Sequence, residues 1–177
     1  MTARESPLIA FYRGTGRDHR GRLLSHIHQY AFDDLERHHD YIQWLFPLPE
    51  PSGANPDAPL LTVEDIAAFR SDDMLRKTLL ESFKLLLQFY GLELSGSADD
   101  PHVVMVTTFR ERSRVWLTSG NHNFLRISRI LRSVSLLGLG SYAAAFLACL
   151  EGIYTENARV IGETTLGYWR RAVTALK

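Results

Sequence analysis

The segment His39–Leu48, HDYIQWLFPL, constrains the fold more than any other part of this chain. A run rich in proline follows it at once. Pro47 has no amide hydrogen and clashes with a preceding helical turn, so no helix continues past it. Each large apolar side chain buried here stabilises the fold by roughly 1.5–3 kcal/mol. We therefore predict that the segment, called the Trp44 plug below, fills a core at a chain reversal with Tyr41, Ile42, Trp44, Leu45 and Phe46.

Composition is that of an ordinary globular protein. The chain has 177 residues, of which 45% are apolar and 23% charged, which suits one domain. The 20 Lys and Arg residues balance 20 Asp and Glu residues, so no net field attracts nucleic acid. One cysteine, Cys149, excludes an internal disulfide, and the N-terminal segment lacks the features of a secretory signal. We predict a cytoplasmic protein without nucleic-acid binding, on which any anion site is local.

The longest stretch without a charged residue runs from Ser133 to Leu150. Its length lies at the lower edge of what spans a bilayer. Gly138 and Gly140, followed by Ser141, have the chemistry of a helix stop and a new N-cap. We predict two buried helices that meet at a turn and no membrane span, while peripheral membrane association stays open.

Apolar residues recur at intervals of three and four through most of the chain, which predicts helices. The clearest stripe covers 75–90, and Gly91 stands at its left-handed C′ position. Thr62 and Asp65 resemble a capping box for the preceding helix, and Ser71 is expected to cap the helix over 75–90.

Residues 1–20 show no period and are expected to form an irregular arm, whereas residues 21–177 form a single domain. The five prolines of 47–59 predict an ordered loop. Toward the C-terminus, stripes predict helices over 124–137 and 141–154 and from Asn157 through Leu176, the last weakened by Gly162 and Gly167. The predicted class is all-α, a bundle of about seven or eight helices with a proline-rich loop.

The valine-rich segment from Val103 to Thr108 favours a strand, but no second strand is evident to pair with it. We therefore expect a short extended segment that enters a helix near 109–117 and no sheet.

Signatures of enzymes and metal sites are weak. Gly138–Ala143 has the letters of a dinucleotide fingerprint, but a helical period precedes it where the motif needs a strand. A metal site would need histidines on one face of a helix. The pairs His26/His28 and His38/His39 are two and one residues apart, so the side chains of each pair lie on different faces. We predict no cofactor, no metal and no catalytic residue.

The start of the helix over 124–137 is the strongest candidate for binding. Asn121, His122 and Asn123 place polar groups where free amides and the positive end of the helix dipole favour a carboxylate or phosphate. Arg126 and Arg129, three residues apart, add positive charge on one flank. The alternative, which we favour on residue chemistry, is that Asn121 only caps its helix. The arginines then pair with acids such as Asp40, Glu81 or Glu111.

Four segments carry a resemblance to a known family: HDYIQWLFPLPEPS (39–52), APLLT (58–62), LQFYGLEL (87–94) and NHNFLRISRILRSVSLLGL (121–139). In this order they resemble the opioid growth factor receptor conserved domain, over about Phe11 to Gly140. The resemblance implies an all-α domain, which in animal members is the front part of a nucleus-associated receptor for an enkephalin-type peptide. The chain is similar to compact, stand-alone members of bacterial type, whose role is unknown. The resemblance supplies no ligand-contact residues.

The leading hypothesis is a non-enzymatic module that binds a small peptide or anionic ligand. We expect a groove between the Trp44 plug, with His39, Tyr41 and Trp44, and the helix start at Asn121. One alternative is an enzyme that uses His39 or His122 as a general base. Another is an oligomeric structural protein in which Trp116, Trp169 and the valine run face a second subunit. The oligomeric state itself does not follow from the sequence.

Overall fold

A computed structural model of the protein describes residues 5–174, which form ten helices and one two-stranded sheet. The predicted, predominantly helical class is confirmed. The helices outnumber the expected seven or eight because several have only four to six residues, too few to show a helical period. The chain divides into two compact units, Met1–Ser82 and Phe83–Lys177.

The first unit places the Trp44 plug in its core. Its helices are α1 (Pro7–Tyr12), α2 (Leu24–His28), α3 (Phe32–Arg37), α4 (Ile42–Leu45), α5 (Val63–Ser71) and the beginning of α6 (Asp73–Tyr90). All five apolar side chains of the plug are at most 5% exposed. The Trp44 ring meets Phe11 edge-on, with centroids 5.1 Å apart, and the Tyr12 ring meets Phe69 in the same way at 4.7 Å. These contacts confirm the plug as core.

The N-terminal segment differs from the irregular arm that we expected, because it contains α1. The Ser6 hydroxyl accepts a hydrogen bond from the Ile9 amide at 3.2 Å, and Pro7 occupies the first helical position. Leu8 and Phe11 are buried. A helix of six residues shows too little periodicity, but the pair Ser6–Pro7 was a usable start signal.

Capping of α5 and α6 follows the sequence in part. The capping box is confirmed, since the Thr62 side chain accepts from the Asp65 amide and Asp65 accepts from the Thr62 amide, both at 3.1 Å. The expected cap of α6 at Ser71 was wrong. Asp72 Oδ1 accepts from the Met74 amide at 2.8 Å, because Asp72 directly precedes α6, whereas Ser71 is the last residue of α5.

The proline-rich loop is held by hydrogen bonds. Residues 47–59 contain no helix or strand, as predicted. The buried Asn55 side chain donates to the Asp40 carbonyl at 3.2 Å, and the Leu61 amide donates to the Leu48 carbonyl at 3.1 Å. The loop is therefore fixed to the plug that it follows.

The second unit contains a β-hairpin that the sequence analysis missed. Strand β1 (Leu92–Gly96) pairs antiparallel with β2 (Pro101–Met105), from Leu92 opposite Met105 to Gly96 opposite Pro101. The expectation that the valine run lacks a partner was therefore wrong. Serine and glycine in β1 favour a turn in isolation, whereas here backbone pairing overrides that preference. Gly91, with φ 80°, ends α6 and starts the hairpin.

The rest of the second unit is helical. It comprises α7 (Phe109–Trp116), α8 (Asn123–Leu136), α9 (Gly140–Ile161) and α10 (Glu163–Thr174). The three C-terminal helices pack on one another, and β2 packs on α9. The predicted apolar face of α8 is buried, with Ile127, Leu131 and Val134 at 0% exposure.

The C-terminal helices end at different residues from those predicted. The last helix was expected from Asn157, but Asn157 is a non-helical residue inside α9, and the break comes at Gly162, with φ 80°. Glycine adopts that conformation without steric cost. Gly162 therefore ends α9, and does not lie inside a helix that it weakens, as we expected. Leu176 lies outside the described residues. Gly138, with φ 94°, separates α8 from α9 as predicted. Among residues 5–174 no helix has the length and apolarity needed to cross a bilayer.

Candidate functional site

The aromatic residues of the Trp44 plug are engaged inside the first unit. Tyr41 is 0% exposed and its hydroxyl donates to the Leu35 carbonyl at 2.9 Å. Trp44 is 5% exposed and its indole nitrogen donates to Nδ1 of His19 at 3.0 Å. His39, by contrast, is exposed. Of these three predicted ligand contacts, His39 alone offers its side chain to solvent, and the other two shape the core beneath it.

A network of charged side chains surrounds the plug and was not predicted. Asp40 accepts from Arg20 Nε at 2.9 Å and from Arg22 Nη1 at 3.0 Å, and its carboxylate lies 3.7 Å from His19 Nε2. Arg22 also pairs through Nε with the buried Asp18 carboxylate at 2.6 Å. Burial raises the pKa of Asp40, but the hydrogen bonds and charges of Arg22 and Arg20 outweigh it and hold that pKa below its usual value.

The network joins the loop before α2 to the segment before α4. Asp18 Oδ1 accepts from the amides of Arg20 and Arg22 at 2.9 and 2.8 Å, which closes the loop between them. The buried Nη2 of Arg22 has no hydrogen-bond partner among the described residues. The four-residue spacing of Asp18 and Arg22 was the available sequence signal. The acids here neutralise the arginines, so the network is better suited to fixing the plug than to attracting an anion.

The start of α8 has its amides occupied. Asn121 Oδ1 accepts from the Asn123 amide at 2.9 Å, and the carbonyls of Asn121 and His122 accept from Phe124 and Leu125 at 3.0 and 3.2 Å. The Asn121 side chain also donates to the Val115 carbonyl at 3.0 Å. Asn121, which directly precedes the N-cap residue His122, therefore engages the first amides of α8 and ties the helix to the end of α7. A ligand here would meet side chains and not free amides.

The predicted polar residues at this helix start divide into supporting and accessible groups. Asn123 is 0% and Arg126 5% exposed, and Arg126 Nη1 donates to Asn123 Oδ1 at 3.3 Å. His122 is exposed and Arg129 is partly exposed. The first pair stabilises the first turn of α8 from inside, and the second pair lies at the surface.

Leu125 was not among the predicted site residues, although it lies between His122 and Arg129 and is 72% exposed. Residues at i, i+3 and i+7 share one helix face, and the outer two are about 10 Å apart along the axis. We call His122, Leu125 and Arg129 the α8 strip. In the sequence, Leu125 lies outside the predicted apolar stripe of α8, but that position alone does not show whether a neighbouring element covers it.

The segment that carries the α8 strip is basic although the chain as a whole is neutral. Between residues 109 and 132 the only acidic residue is Glu111. The basic residues of this segment, apart from His122, are Arg110, Arg112, Arg114, Arg126, Arg129 and Arg132. Arg112 is committed to structure, since its Nε donates to the Phe89 carbonyl at 2.9 Å. By sequence, the segment therefore carries an excess of positive charge, which favours an acidic ligand locally.

Other candidate chemistry is accounted for by packing. His28 Nε2 lies 2.8 Å from the Ser82 hydroxyl, but Ser82 is 0% exposed inside α6, where no substrate reaches it. Burial raises the pKa of Cys149 to about 11, so the residue is a thiol at neutral pH. No group of three or more metal-ligating side chains was found among residues 5–174.

The oligomeric alternative was wrong in placing Trp116 and Trp169 at a surface that faces a second subunit. Both are 0% exposed in the single chain, where their indole nitrogens donate to the carbonyls of Tyr90 and Phe124, each at 3.1 Å. The two indole rings fill the core of the single chain, whereas Val104 of the valine run is 39% exposed.

Sequence comparisons support the resemblance noted above. Residues 16–177 match the family model described as opioid growth factor receptor (OGFr) conserved region. The mouse opioid growth factor receptor is 43% identical over 144 residues, which cover 80% of this chain and 22% of that protein. The human receptor is 36% identical over 175 residues, covering 96% of this chain and 25% of that protein. The rat opioid growth factor receptor-like protein 1 is 37% identical over 140 residues, covering 78% of this chain and 29% of that protein.

These relatives are longer than the chain, which spans about a quarter of the length of the receptors that it matches. Their names describe receptors or receptor-like proteins and not enzymes. The expected likeness to compact bacterial members finds no support among them. No solved structure matches the chain. Because the family match covers nearly the whole sequence, the chain belongs to the opioid growth factor receptor conserved region family.

Proposed function

We propose that this chain is a receptor-like, non-enzymatic module that binds a short peptide through the α8 strip. Two facts support this: relatives of the chain are named receptors, and the strip combines an apolar side chain with positive charge. The observation that carries the proposal is the 72% exposure of Leu125 between His122 and Arg129.

The chemistry of the strip selects a class of ligand. An apolar side chain of the peptide covers Leu125, and burial of apolar area contributes about 25 cal/mol per Å². A carboxylate of the peptide, from its C-terminus or from Asp or Glu, pairs with Arg129 or with His122 in its protonated form. The ligand is therefore a peptide with an apolar residue near an acidic group.

The remaining predicted residues do not contact the peptide in this proposal. Asn121 and Asn123 hold the first turn of α8, and Arg126 supports Asn123 from the buried side. Tyr41 and Trp44 make no ligand contact in this proposal because both are buried.

The test is calorimetric titration with short peptides that contain one apolar and one acidic residue, compared with their amidated, uncharged counterparts. Leu125→Ser and Arg129→Gln each remove one contact and are expected to weaken binding about tenfold, equivalent to about 1.4 kcal/mol. Met74→Ser, at a position 66% exposed in α6, and Arg159→Gln, exposed in α9, are the matched controls.

The expected result is that the acidic peptides bind the unmodified chain and both controls, and bind each strip variant about tenfold more weakly. The proposal fails if no peptide binds, or if the strip variants bind as well as the controls. It also fails if the uncharged peptides bind equally, since that result removes the role of Arg129.

A further inference from the structure

The turn between α9 and α10 shapes a cavity in the second unit. Asn157 has φ −126°, which interrupts α9, and its side chain donates to the Ile153 carbonyl at 2.9 Å. Side-chain insertion of this kind is a common cause of a helix kink. Gly162, with φ 80°, then reverses the chain within one residue, and α10 packs back along α9.

The cavity between these two helices has a volume of about 480 Å³. Pockets for small ligands fall in the range of roughly 300–1,000 Å³, so the space is sufficient for one. Leu166, 5% exposed, supplies an apolar surface, and Gly167 leaves space because it has no side chain. The other lining residues are Glu151, Tyr154, Thr155, Glu163 and Arg170.

The polar groups of the cavity are of two kinds. Arg170 Nε donates to Glu151 Oε1 at 2.6 Å, so these two charges satisfy each other. Among residues 5–174, the Glu163 carboxylate and the Tyr154 hydroxyl have no hydrogen-bond or ion-pair partner. The charged residues that line the cavity are Glu151, Glu163 and Arg170, so the lining has a net charge of −1.

We propose that this cavity binds a primary ammonium group carried on an alkyl chain. Glu163 accepts the ammonium hydrogens, and Tyr154 offers its hydroxyl oxygen and the face of its ring, both of which attract cations. The alkyl chain lies on Leu166 in the space above Gly167. A lysine side chain of a peptide and a free polyamine share this chemistry. The site is separate from the α8 strip and does not depend on it.

The experiment is a titration of ¹⁵N-labelled full chain followed by NMR, with three probes. Spermidine represents the free polyamine, N-acetyl-lysine amide represents the peptide side chain, and N-acetyl-glutamine amide is the uncharged comparison. The variant Glu163→Gln removes the charge but keeps the shape, and Glu156→Gln is its control on an exposed position of α9 that does not line the cavity.

A second pair of variants tests the space. Gly167→Leu fills the cavity, and the Cβ added there meets only the flexible end of Arg171, at 3.3 Å, so the helix tolerates it. Gly152→Leu is the control, since an added Cβ meets nothing within 4 Å on that part of α9. Circular dichroism confirms that both variants fold.

The expected result is that at least one amine probe shifts the amide signals of residues lining the cavity, while the glutamine probe does not. Which amine does so identifies the source of the ligand. Glu163→Gln weakens the response about threefold to fivefold, as for one exposed charge pair, and Gly167→Leu abolishes it. The inference is overturned if neither amine shifts these signals, if Glu163→Gln and Glu156→Gln behave alike, or if Gly167→Leu keeps the response.

Discussion

Replacing Trp116 by phenylalanine is expected to destabilise the second unit by about 3–4 kcal/mol. Trp116 is 0% exposed, and its ring meets Tyr90 edge-on with centroids 5.4 Å apart. The substitution deletes two ring carbons from this packed site, which costs about 1.5 kcal/mol at about 0.8 kcal/mol for each carbon group.

The larger part of the cost comes from the hydrogen bond. The indole nitrogen of Trp116 donates to the Tyr90 carbonyl, at the end of α6, at 3.1 Å in a buried position. Taking a donor away from a buried acceptor costs about 1–3 kcal/mol, because water cannot replace it. For a protein of this size, about 1 kcal/mol shifts Tm by about 2–4 °C, so the variant melts about 10 °C lower.

Trp44→Phe is the matched control, because it deletes the same atoms. Trp44 donates to His19, whose side chain is 16% exposed and can bind water instead. Its hydrogen bond therefore contributes only about 0.5–1.5 kcal/mol, and the variant loses about 2–3 kcal/mol in total. Urea denaturation followed by circular dichroism measures both values. A loss below about 1 kcal/mol for Trp116→Phe, or a larger loss for Trp44→Phe, refutes the reasoning.

Three further substitutions test the fold. Thr62→Ala removes the capping box of α5 and is expected to cost about 1 kcal/mol in denaturation, whereas Thr62→Ser restores most of it. Burial lowers the pKa of His28, so as pH falls the His28 imidazole of the unfolded chain is protonated before that of the folded chain, and stability decreases below pH about 6.5. The variant His28→Gln should therefore have a flatter dependence of stability on pH between about 7 and 5. An unchanged slope contradicts this. Gly91→Ala should destabilise the protein more than Gly120→Ala, because a Cβ at Gly91 lies 2.6 Å from the Phe109 backbone. Gly120 has a similar positive φ, but a Cβ there meets nothing within 4 Å. Equal shifts in Tm for the two variants would argue against the clash.

Much of the helical framework followed from local chemistry. The stripe of α6, its end at Gly91 and the capping box at Thr62 were predicted because the signals lie within one or two helical turns. The burial of the Trp44 plug followed for a similar reason, since so many apolar side chains before Pro47 have no other stable environment. The family was also identified from sequence segments alone.

The missed features depend on contacts distant in the chain or on very short elements. Strand β1 forms because β2 pairs with it, and β1 alone has no strong strand pattern. The pairing of Arg22 with Asp40 joins residues eighteen positions apart, which no periodicity reveals. At α8, the sequence showed a polar helix start, but only the structure shows that Asn121 already accepts from the first amides and that Leu125 is exposed.

The hairpin tip offers a practical use. Residues 97–100 are exposed between two strands whose register is fixed, with Gly96 opposite Pro101. Lengthening a surface loop costs little, because closure entropy grows only slowly with loop length. A fluorescent label or an epitope tag inserted here would leave both strands paired. Such a tag reports on the second unit and leaves the residues of α8, α9 and α10 unchanged.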